Sequence, residues 1–131
     1  MTNLVQFIRA LQRHTEVTDT ADESVLFTLA ANDRPYFRSS VRIHPDETAS
    51  GTLRVGTVPK EVDEMKLRAS LQEYASPLDS YTLRLTLAGD IRENPPADPK
   101  TNWFPHLEFD CADPLDVVAV VANLQERPNI V

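Results

Sequence analysis

Alternation of apolar and polar side chains over residues 65–87, MKLRASLQEYASPLDSYTLRLTL, constrains this chain more than any other stretch. Met65, Leu67, Ala69 and Leu71 alternate with Lys66, Arg68, Ser70 and Gln72, and then Tyr81, Leu83, Leu85 and Leu87 alternate with Thr82, Arg84 and Thr86. Period two in both arms predicts a β-hairpin with one apolar and one polar face. Ser76, Pro77, Asp79 and Ser80 supply the turn chemistry between the arms. The rival is a helix over 59–75, rich in Glu, Lys, Leu, Met and Ala. On a helical wheel Val62, Met65 and Ala69 fall on one side and Leu67, Leu71 and Tyr74 on the other. A surface helix has one apolar stripe and this one would have two, so the hairpin is the expectation. Its polar face carries Lys66, Arg68 and Arg84 and no acid, in a chain of net charge -7.

The elements on either side are read in the same way. Leu4, Phe7, Ile8 and Leu11 form one stripe of an N-terminal helix capped by Thr2 or Asn3, and the acidic segment 15–23 reads as a connector. Short strands are expected at 25–31, 36–43 and 52–58, with turns at 32–35 and 44–51, making a meander that joins the hairpin. Residues 92–102, RENPPADPKTN, form a long loop. Residues 103–111 are the last strand, with Pro105, Leu107, Phe109 and Cys111 on one face and His106, Glu108 and Asp110 on the other. Asp113 and Pro114 start a helix to about residue 127. Its apolar residues surround the axis, so it must be buried on more than one side, and a second subunit is the expected cover.

The length of 131 residues suits one domain. That domain divides into a helical arm and connector at 1–22, a sheet at 25–111 and a helix at 113–127. The expected class is α+β: an antiparallel sheet of about five to six strands with both terminal helices on one face. The single Cys111 excludes an intrachain disulfide, and the three scattered glycines do not form a phosphate-cradling loop. No apolar run is long enough to span a bilayer and no signal-peptide pattern opens the chain, so a cytoplasmic protein is expected. His106, Glu108 and Asp110 share a strand face that could hold a divalent metal, yet such alternation marks any half-solvated strand. Cys111 reads as a small core residue. The expectation is a protein that is not an enzyme and carries no cofactor.

Three short strands, the hairpin KLRASLQEYASPLDSYTLRLTL, a proline-containing loop, the strand WFPHLEFD and a terminal helix resemble the coat proteins of single-stranded RNA bacteriophages over about residues 25–124. The resemblance implies an intertwined dimer with one continuous sheet that assembles into a capsid, packages single-stranded RNA in a virion and represses translation through an RNA hairpin. It places Lys66, Arg68, Ser70, Gln72, Thr82, Arg84, Thr86, His106 and Glu108 on the RNA-binding face. The partners implied are further copies of the chain and RNA, with no membrane and no small-molecule substrate. Basic side chains on such a face would meet phosphates, and hydroxyls and imidazoles would meet unpaired bases. Were residues 60–75 helical, the order would become α-β-β-β-α-β-β-α. That order resembles the dimeric chaperones of type III secretion, which bind an extended segment of an effector protein. A small acidic inhibitor encoded by a phage is a further member of this protein-binding class.

Overall fold

The computed structural model describes residues 3–21, 24–29, 38–88 and 102–126. The first helix, α1 (Leu4–Leu11), starts with a capping box in which Asn3 and Gln6 satisfy each other's backbone N–H groups, and it buries Phe7 and Leu11. It is followed by β1 (Val17–Ala21), β2 (Ser24–Phe27), β3 (Ser39–Ile43), β4 (Ala49–Arg54) and the two-residue β5 (Val58–Pro59). Helix α2 (Glu64–Tyr74), strands β6 (Ser80–Ala88) and β7 (Asn102–Cys111), and helix α3 (Pro114–Glu126) complete the order. Among the described residues no helix is long and apolar enough to cross a membrane.

Every strand pairing is antiparallel, and the α+β class with a helix at each end of the chain is as expected. The order across the sheet is β1-β2-β3-β4-β7, with β5 extending the β4 side of β7 and β6 on the other side. One face carries Val25, Phe27, Val41, Ile43, Leu53, Leu107 and Phe109. These pack with Phe7 and Leu11 of α1, Leu67 and Leu71 of α2, and Val117, Val120, Val121 and Leu124 of α3 into one core. The opposite face is mostly polar, with Leu26 and the buried Phe104 also on it.

The hairpin expected over 65–87 is only half right. Its second arm is β6, but its first arm is helix α2. The side chain of Asp63 caps the helix by accepting from the N–H groups of Met65 and Lys66. Glu64 and Arg68 pair one turn apart at 3.1 Å, and the segment EMKLRASLQEY contains no β-branched residue to favour a strand. The two-stripe objection dissolves because only one stripe is buried. Leu67, Leu71 and Tyr74 face the core, while Met65 is 80% exposed and Ala69 is also exposed.

Smaller corrections follow the same logic. Part of the expected connector is strand β1, whose Val17 and two threonines suit an edge that needs no continuous apolar row. The strand expected over 52–58 begins earlier, at Ala49, and is divided into β4 and β5 around Gly56, whose φ of 101° only glycine adopts readily. The cover expected from a second subunit over α3 is supplied by α1 and α2, which pack against it. The expected loop at 92–102 lies outside the described residues except for Asn102, the first residue of β7, and the turn at 32–35 lies outside them altogether.

The β3–β4 turn carries the one non-glycine residue with positive φ among those described, Glu47 at 67°. Its N–H donates to the carbonyl of His44, and the N–H of His44 donates to the carbonyl of Thr48, closing a tight turn that favours glycine at this position. One carboxylate oxygen of Glu47 is also buried without a hydrogen-bond partner. Glu47→Gly is therefore expected to raise stability by about 0.5–1 kcal/mol, read as a higher urea midpoint at unchanged m-value. A lower midpoint would mean that the side chain is held by contacts worth more than the strain.

Candidate binding surface

The polar face of the sheet is built from cross-strand rows. Leu26, Ser40, Thr52, Glu108 and Thr82 form one row across β2, β3, β4, β7 and β6, and Ser24, Arg42, Ser50, Asp110 and Ser80 form the next. Arg54, His106 and Arg84 form a third. Side chains directly opposite one another on a sheet face are in contact range, so these rows act as one surface. Across the rows Arg84 pairs with Glu108 at 3.3 Å, with both side chains largely exposed. Arg54 donates to the carbonyl of Arg38 at 2.7 Å, and His106 Nδ1 lies 2.9 Å from the carbonyl oxygen of Phe104.

Between β4, β7 and β6 this face dips into an open bowl of about 350 Å³ lined by Ser50, Thr52, Ser80, Thr82, Glu108 and Asp110, among others. The hydroxyl of Ser50 lies 2.8 Å from Nε2 of His44. In the adjoining turn the hydroxyl and N–H of Thr48 both donate to Asp46, which holds that carboxyl below its ordinary range. A smaller recess of about 190 Å³ lies where Glu73 and Tyr74 of α2 meet Asn123 and Glu126 of α3. Among the described residues no group of three or more His, Cys, Asp or Glu side chains is placed to hold a metal ion.

The nine residues expected on one RNA-binding face divide between two parts of the molecule. Thr82, Arg84 and Thr86 on β6 and His106 and Glu108 on β7 do share the open face. Lys66, Arg68, Ser70 and Gln72 are on α2, whose buried side chains belong to the core on the other side of the sheet, and Arg68 is occupied by Glu64. Ser40, Arg42, Ser50, Thr52 and Arg54 join the face instead. Their alternation with Val41, Ile43 and Leu53 was visible in the sequence, but strand neighbourhood was not: β4 lies beside β7, more than fifty positions away along the chain. The chain matches no protein-family model, no curated protein and no solved structure.

Proposed function

We propose that this chain is a small acidic binding protein whose ligand is an extended segment of another polypeptide, rather than a coat that packages RNA. The observation that carries this reading is helix α2, which takes Lys66 and Arg68 off the sheet face on which RNA binding would depend. Among the described strand residues that face is balanced in charge: Arg42, Arg54 and Arg84 stand against Asp19, Glu108 and Asp110, and Arg84 is already paired. A surface that neutralises phosphates needs an excess of cations, and a chain of net charge -7 has none in reserve.

The element order also supports a protein ligand. With α2 helical, the chain follows the α-β-β-β-α-β-β-α order of the secretion chaperones, with an additional edge strand β1 and the two-residue β5. The likeness is one of architecture, and the argument for a polypeptide ligand rests on it together with the charge balance.

The test is size-exclusion chromatography of the chain expressed alone, with absorbance read at 260 and 280 nm. A small species with a protein spectrum is expected, and a display library of unstructured segments should then yield binders. A peak at the void volume with a nucleic-acid spectrum would overturn this reading and restore the coat.

A further inference from the structure

The two edges of the sheet are built differently. Strand β1 is five residues long, its register slips between Val17 and Asp19, and it carries an exposed acid. A short, bulged, charged strand is how sheets discourage further pairing. Strand β6 is neither short nor bulged, and its one charge is Arg84. It is nine residues long, pairs with β7 in unbroken register from Ser80 to Ala88, and contains no proline, lysine or acid. Among the described residues it pairs with β7 alone. On its core side Tyr81, Leu83 and Leu85 are only partly buried, and Leu87 is 41% exposed.

We infer that the free edge of β6 is the dimer interface of this protein, where a second copy of β6 adds antiparallel about a two-fold axis through Leu85. The strand that fits this edge must bring leucine-sized residues in step with its own and must not set a cation against Arg84. Strand β6 meets both conditions itself. With the axis at Leu85, Leu87 pairs with the partner's Leu83, Leu85 with the partner's Leu85, and Arg84 with the partner's Thr86. An axis through Arg84 would oppose two guanidinium groups, and one through Leu83 would set the exposed Leu87 against an aspartate. The Leu85 register covers Leu87 without placing like charges opposite each other, and it sets three leucine pairs in step where an axis through Thr86 sets only two. The two sheets then run on as one, and the core side gains a row of leucines from both copies. The inference does not depend on what the protein binds.

Sedimentation equilibrium of the full chain should give twice the 14.7 kDa chain mass. Leu85→Lys places two ammonium groups at the axis and should raise the dimer dissociation constant ~100-fold or more. Leu85 also touches the core, so the decisive pair is at Thr86, which is exposed on the polar face. Thr86→Glu should tighten the dimer and Thr86→Lys weaken it, each by roughly threefold to tenfold, because each copy sets the new charge against the partner's Arg84. A wild-type chain that stays monomeric at all concentrations overturns the proposal, as does a dimer indifferent to both Thr86 changes. A monomer that forms only a one-to-one complex with an added extended peptide overturns it too, in favour of strand addition by a foreign segment, and leaves the proposed function standing.

Discussion

Gly51→Ala is expected to cost about 3 kcal/mol or more, enough to leave much of the protein unfolded at moderate temperature. Gly51 sits inside β4 with Val41 of β3 on one side and Phe109 of β7 on the other. A Cβ at this position would fall on the carbonyl oxygen of Ser40, and would reach the carbonyl carbon of Ser40 and the Cα of Val41 at 3.0 Å. These are backbone atoms of a paired strand, so no rotamer change can make room. Either β3 and β4 move apart, breaking ladder hydrogen bonds and loosening Val41, Ile43 and Leu53, or β4 twists away from β7. Both routes cross the middle of the sheet, where the buried side chains are packed at high density. Urea unfolding should show a much lower midpoint for the variant at an unchanged m-value. A loss below ~1 kcal/mol would mean that the two strands part easily there, and that the close approach is not a fixed property of the fold.

That close approach was not legible in the sequence, where Gly51 reads as the end of a turn. The reason is physical. A glycine in a strand records a neighbour that comes too near, and the neighbour, Ser40, is known only once β3 and β4 are paired. The α+β class, the terminal helices and the last strand were legible because each rests on local periodicity or capping. Phe7 and Leu11 share one helical stripe, Asp113 accepts from the N–H of Leu115 at 3.0 Å, and Leu107, Phe109 and Cys111 alternate with polar residues. Residues 65–71 alternate like a strand only if Met65 and Ala69 count as apolar partners of Leu67 and Leu71. A flexible methionine and a small alanine can both stand in water, and without them the leucines at 67 and 71 and the tyrosine at 74 have helical spacing. The absence of any β-branched residue in the segment also favours the helix. The candidate site followed suit. Thr82, Arg84, Thr86, His106 and Glu108 share a face because β6 and β7 pair in register, while Lys66, Arg68, Ser70 and Gln72 lie in the helical layer.

The second large effect is expected in alkali. Cys111 ends β7 opposite Ala49 and is only 5% exposed. Burial, followed by the negative charge of Asp116, pushes its thiol from an ordinary value of 9.0 up to about 11, with Asp113 and Asp79 adding to the rise and the N–H of Ala49 opposing it. Between those two values the unfolded chain releases the thiol proton while the folded chain keeps it. Fewer protons bound in the unfolded state means that stability falls as pH rises. The contribution is fully present below pH 9 and is lost progressively up to about pH 11. At about 1.4 kcal/mol per pKa unit, the loss attributable to this one thiol is on the order of 1–3 kcal/mol. Tyrosines and lysines titrate in the same range, so the measurement is a difference. Urea midpoints of the wild type and of Cys111→Ala would be followed from pH 8 to 11, with the variant less stable at pH 8 and the gap narrowing or reversing by the upper end. The same burial should make alkylation of the native thiol by iodoacetamide slow at pH 8 and dependent on unfolding. A gap constant across the whole range, together with rapid alkylation of the native protein, would show that Cys111 is open to water and that the end of β7 is not sealed between β4 and α3.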